Sequence, residues 1–230
     1  TSINIGRMAT SKSCLVVTGV ARPSASRVLK NIKETIETVK SYNVDLFVMT
    51  YKSTAAEELV SLIENEPDLQ VDIHQVDMFE DPPGGYEGKN YMMFRMIEML
   101  VERIPHFDSY HCVVRHRLDC SLENIEIPDK LEDKIFYTAP APGGQTYYDN
   151  IWLCKPIEFK NICNTNALDL EANCPHGALE SAVNLNEYDS KPFNFTQSLY
   201  QSNEDSVLGV AQWSKKDRTF EYKDNWLRWL

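Results

Sequence analysis

Three short apolar runs, each separated from the next by an amphipathic stretch, constrain this chain more than any other feature. "CLVVTGV" (14–20), "VDLFVMTY" (44–51) and the alternating "QVDIHQVD" (70–77) are rich in β-branched and aromatic residues and too short to be buried helices. Between the first two, Val28, Leu29, Ile32, Ile36 and Val39 recur at spacings of three and four, the stripe of a helix, with Ser24 or Ser26 available as N-cap. "STAAEELVSLIENEP" predicts a second helix, opened by Ser53 or Thr54 and closed near Pro67. Strands that alternate with helices need crossover connections, so the expected product is an α/β fold around a largely parallel sheet.

The pattern then loosens. "FEDPPGG" (79–85) interrupts the chain with two prolines and two glycines and could close over a ligand, with Gly84 and Gly85 as hinges. "YEGKNYMMFRMIEMLVERIPHF" follows as a long helix whose Met92, Met93, Met96, Met99 and Leu100 form a broad face suited to core packing. "YHCVVRHRLDC" (110–120) reads as a fourth strand, "KIFYTAP" (134–140) as a fifth, and "IWLCKPIEFKNICN" as a strand end followed by a helix. In the last third, "CPHGALESAVNLNEY" predicts a helix and "SVLGVAQWSKKDRTFEY" a hairpin-like piece. At 230 residues the chain suits a single domain, with a core over about 14–185 and a less regular region over 186–230.

Charge appears where the fourth strand ends. Arg115, Arg117 and Asp119 alternate with His116 and Leu118, so a period of two puts all three charged side chains on one face. In parallel sheets ligands bind beyond the carboxyl ends of the strands, which is where this triplet falls. Three readings fit: a structural ion-pair network, anion binding by the arginines, or a nucleotide-sugar site in which an aspartate holds a divalent metal against a diphosphate. The formal net charge of −11 argues against nucleic acid as a partner, so an anionic small molecule would need a local basic pocket of this kind. No run approaches the roughly 20 apolar residues of a membrane span. Six scattered cysteines without a Cys-x-x-Cys spacing suggest reduced thiols and a soluble, cytoplasmic protein.

Taken in order, "VVTGVARPS", "VDLFVMTYKS", the Lys-Asn-Tyr at the start of the long helix, "VVRHRLDC" and "YYDNIWLCKP" resemble the glycosyltransferase-like proteins of GT-A type found among polysaccharide and lipopolysaccharide synthesis genes and in large DNA viruses. That resemblance implies a Rossmann-type sandwich and a transfer of sugar from a UDP- or GDP-sugar donor to a saccharide acceptor. By position it implies a donor site from Gly19, Val20, Arg22, Thr50, Tyr51, Lys89, Asn90, Arg95, Arg115 and Arg117. It also implies Mn2+ or Mg2+ on Asp119, with His176 as a late additional ligand. This chain has Arg-x-Asp where the commoner motif has Asp-x-Asp.

An inverting transfer needs a base for the acceptor hydroxyl. Asp149 is the first candidate, beside Tyr147 and Tyr148 whose flat faces could stack on sugars, and Glu180, one turn after His176, is the second. The alternative from another class is a non-catalytic nucleotide- or carbohydrate-binding module of a larger protein.

Overall fold

The computed structural model describes residues 11–78, 85–139, 147–166, 174–200, 209–214 and 219–224. Its first half follows the expected alternation: β1 (Ser13–Gly19), α1 (Ala25–Val39), β2 (Val44–Tyr51), α2 (Thr54–Glu64), β3 (Asp72–Val76), α3 (Gly85–Arg103) and β4 (Cys112–Arg117). Ser24 caps α1 by accepting from the Arg27 amide, and Ser53 caps α2 by accepting from the Ala56 amide. Each answers one of the amide groups that a helix start leaves without an internal partner. A short 3-10 turn (Phe107–Ser109) links α3 to β4.

The second half is β5 (Cys120–Ile125), β6 (Ile135–Tyr137), β7 (Ile151–Cys154), α4 (Pro156–Ile162), α5 (Pro175–Leu185), β8 (Asp189–Lys191), β9 (Phe195–Leu199), β10 (Gly209–Ser214) and β11 (Thr219–Asp224). Two sheets result. The larger has seven strands in the order β3-β2-β1-β4-β7-β6-β8, and the smaller has four in the order β11-β10-β9-β5. In the larger sheet β1, β2, β3 and β4 are mutually parallel, β7 runs against both β4 and β6, and β6 and β8 are parallel to each other. This is a mostly parallel sheet with helices on both faces, compatible with a Rossmann-like fold.

Two apolar cores lie on the two faces. Leu15, Val17, Val48 and Val114 pack with Val28 and Ile32 of α1 and with Leu59 and Ile63 of α2. Val16, Met49 and Val113 pack with Phe94, Ile97 and Leu100 of α3, Phe159 of α4 and Leu179 of α5. The α3 methionines behave as filler: Met96 is buried, while Met92, Met93 and Met99 flank the same core. All six thiols are free and five are buried, as small apolar residues in a packed interior would be.

Two departures from the sequence reading bear on function. β4 ends at Arg117, and Leu118 and Asp119 form a tight turn straight into β5, a strand the sequence reading left unassigned. The region after 185 is more regular than expected: β8 joins the large sheet and β9 pairs with β5, so the smaller sheet grows directly out of the turn that carries Asp119. Among the described residues no helix is long and apolar enough to cross a membrane.

Candidate functional site

The strand order changes direction at β1: β2 lies on one side of it and β4, reached later in the chain, on the other. Such a reversal leaves a crevice at the carboxyl ends of the two strands. β1 ends there at Gly19, with φ 152°, a conformation that side chains with a Cβ rarely adopt. A Cβ on Gly19 would also sit 3.3 Å from the Leu118 Cβ. Glycine therefore lets the end of β1 lie against the turn after β4, and the Leu118 amide seals that approach by donating to the Thr18 carbonyl at 3.2 Å.

Asp119 is 2 % exposed and is gripped from two sides. Arg117 donates from Nε to Oδ1 at 2.8 Å and from Nη2 to Oδ2 at 2.7 Å, a bidentate fork, and Arg22 Nε reaches Oδ2 at 2.9 Å from the loop after β1. Burial alone would raise the Asp119 pKa, but the two guanidiniums outweigh it and hold the carboxyl below its ordinary range. The main chain is tied as well, because the Tyr200 amide donates to the Asp119 carbonyl at 2.9 Å. On the opposite face His116 sits between Gln197 (2.9 Å to Nδ1) and the Cys120 carbonyl (3.2 Å from Nε2). Burial first, and then neighbouring Arg115, pull its pKa down to about 3, so this ring is a neutral brace for the turn.

Arg115 lies deeper on the same face as Arg117. It is 2 % exposed, donates to the His116 carbonyl, and its Nε has no hydrogen-bond partner among the described residues. Burial and then the Arg117 charge lower its pKa to about 10, with Asp149 acting in the opposite direction. A buried cation with an unanswered donor is costly.

Antiparallel pairing brings in the other half of the cluster. His116 of β4 faces Ile151 of β7, so the residues just before Ile151 lie beside those just after His116. Asn150 accepts from Arg117 Nη1 at 3.0 Å and donates to the Tyr148 hydroxyl at 2.8 Å. Asp149 is buried, with Oδ1 2.6 Å from Nδ1 of His176 on the first turn of α5. Burial would raise the Asp149 pKa, but His176, Arg117 and Arg115 bring it below the usual value. For His176, burial works downward but is outweighed by Asp149, and the net shift is upward. A carboxylate held low is a weak proton acceptor, so the Asp149–His176 pair is the unit here that can exchange a proton.

Gly19, Arg22, Arg115, Arg117, Asp119, Asp149 and His176 thus gather at one end of β1 and β4, and Val20 stands 44 % exposed on the loop beside them. The remaining sequence candidates have other surroundings. Thr50 and Tyr51 are buried at the end of β2, and the Tyr51 hydroxyl donates to the Met92 carbonyl, tying α3 to the sheet. Lys89 is exposed and Asn90 buried inside α3, which begins at Gly85. Arg95 pairs with Glu98 at 2.6 Å and lies 3.9 Å from Glu102 on the same helix. Glu180 is half-buried one turn along α5 from His176. Tyr148 does not offer a face to sugars, because its ring is stacked between His176 and Phe195, and Tyr147 is buried edge-on against Phe136. The "FEDPPGG" loop lies, but for Gly85, outside the described residues.

Asn150 is the site residue that sequence reasoning missed. Its position ahead of an apolar strand was visible, but only the β4–β7 register reveals that it faces Arg117.

A divalent cation fits this arrangement poorly. Both oxygens of Asp119 already accept guanidinium N–H groups at 2.7–2.9 Å, so a cation binding them would meet two positive charges at contact distance. His176 directs Nδ1 to Asp149, and no group of three or more His, Cys, Asp or Glu among the described residues could hold a metal ion.

No family model matches the sequence, and no curated protein is significantly similar to it.

Proposed function

We propose that this chain is a GT-A-type glycosyltransferase that moves a sugar from a UDP- or GDP-sugar to a saccharide acceptor. One observation carries the reading: Arg22 and Arg117 meet on Asp119 at the point where the strand order reverses, with Arg115 buried on the same face of β4 and an Asp–His pair beside them. Transfer breaks the bond between the sugar and the diphosphate, and negative charge accumulates on the departing nucleoside diphosphate. Guanidinium forks stabilise that charge, and they do so more strongly where water is excluded. The acceptor hydroxyl attacks the anomeric carbon and loses its proton to the Asp149–His176 pair, with neutral His176 as the accepting group.

The test is donor hydrolysis. Incubating the chain with a panel of UDP-, GDP- and dTDP-sugars should release nucleoside diphosphate slowly from one donor class. His176→Gln should cut that rate by roughly 100-fold, as loss of a positioned proton acceptor does, while leaving donor affinity nearly unchanged. Tight binding of a nucleotide sugar with no turnover in the presence of any saccharide acceptor would instead make the chain a binding module.

A further inference from the structure

We infer that the charge of the donor diphosphate is met in this site by Arg22, Arg115 and Arg117 directly, with no divalent cation between, and that Asp119 is the internal counter-ion the incoming anion competes with. The inference rests on the diphosphate reading above but concerns a different question, namely what neutralises the ligand. In a metal-bridged site the aspartate must present its oxygens to the cation. Here those oxygens accept three guanidinium N–H groups, from Nε and Nη2 of Arg117 and Nε of Arg22. The side chain two positions before Asp119, where a second acid would strengthen a metal site, is the guanidinium that occupies the first.

Charge arithmetic favours an anion. Arg22 and Arg117 share the one carboxylate of Asp119, and Asp149, the other carboxylate near Arg115 and Arg117, is already paired with His176. The surplus is positive and sits partly on Arg115, which is buried and has a donor with no partner among the described residues. Arg22, by contrast, has a side chain 41 % exposed on the loop after β1, where a phosphate reaches it from solvent, while Arg117 is anchored by Asn150. A phosphate that displaces Asp119 takes over the Nε and Nη2 fork of Arg117, a planar pair of donors suited to bidentate contact.

The two modes of neutralisation predict opposite signs. Isothermal titration of the full chain with pyrophosphate, UDP and GDP should give binding in EDTA at least as tight as binding with manganese. Arg22→Ala, at an exposed loop position, should weaken all three ligands by roughly tenfold or more. Asp119→Asn removes the competing negative charge and should tighten pyrophosphate about three- to tenfold without metal. Binding that appears only with manganese, or that is abolished in a folded Asp119→Asn variant, overturns the inference while leaving the diphosphate reading intact. Metal-free binding of pyrophosphate without binding of either nucleotide would keep the arginine site and sink the nucleotide reading. No binding of any ligand in either condition removes both. Should Asp119→Asn fail to fold, the EDTA and manganese arms on the unaltered chain, together with Arg22→Ala, still decide.

Discussion

At the level of single residues, the sequence makes the expense of Arg115, Arg117 and Asp119 obvious and leaves its purpose open. A purely structural network and an anion site differ in what Arg115 is worth. If Arg115 were there for stability, replacing it would destabilise the fold. The geometry points the other way, since its guanidinium is fully desolvated with Nε unanswered. Arg115→Met, of similar length and apolar, should therefore leave the unfolding free energy unchanged or raise it by up to about 2 kcal/mol, while pyrophosphate affinity falls roughly tenfold. Urea unfolding paired with calorimetry measures both, and a loss of stability with unchanged affinity would favour the structural network.

The Asp149–His176 pair has its own signature in pH. Asp149 is lowered from 3.8, so its contribution to stability is present above that value and is lost as pH falls through the folded pKa. His176 is raised from 6.5, so its contribution is complete below that value and is lost as pH rises through the folded pKa. The coupling between them, taken from a double-mutant cycle of Asp149→Asn and His176→Gln, should peak between 3.8 and 6.5 and decline on both sides. A coupling that is flat with pH would show that the two side chains are neighbours without an ionic bond.

At the level of elements, most of what matters was legible. The periods of two and about 3.6 mark β1 to β4 and α1 to α3, because one face of each must be apolar to reach a core. Ser24 and Ser53 emerged as caps for the same local reason. Lys89 and Asn90 lie in the first turns of α3, which begins at Gly85 as the sequence suggested, with Lys89 exposed and Asn90 buried. β5 was missed because "CSLENI" carries two exposed polar residues and pairs on one edge only with β9, more than 60 residues on in the chain. The end of β1 is the element-scale test. Gly19→Ala forces a Cβ onto a backbone with φ 152° and to within 3.3 Å of Leu118, so it should cost about 1–3 kcal/mol. It should also push the end of β1 away from the turn that carries Asp119 and weaken pyrophosphate binding. Chemical denaturation would detect the first effect, and an unchanged midpoint would mean the strand end relaxes freely.

At the level of the whole molecule, ligand binding and folding are linked, and a ligand that binds only the folded state raises its melting temperature. Saturation at about 100 times Kd stabilises by roughly 2.7 kcal/mol, which for a domain of this size corresponds to a shift of roughly 5–10 °C. Pyrophosphate or UDP in EDTA should produce such a shift in a fluorimetric melt, and manganese alone should not. A shift with manganese alone would require a metal site that the Asp119 cluster does not supply. The sequence by itself determined the order of β1 to β4 and α1 to α3, the largely parallel sheet and the placement of two arginines and an aspartate at one strand end. Each of these follows from local periodicity and from the need to bury apolar faces. Only the tertiary structure decided which charges meet: Arg22 reaches Asp119 across 97 positions, Asn150 reaches Arg117 through an antiparallel register, and His176 closes on Asp149 from a separate helix. Charge compensation depends on distance in space, and local periodicity does not encode it.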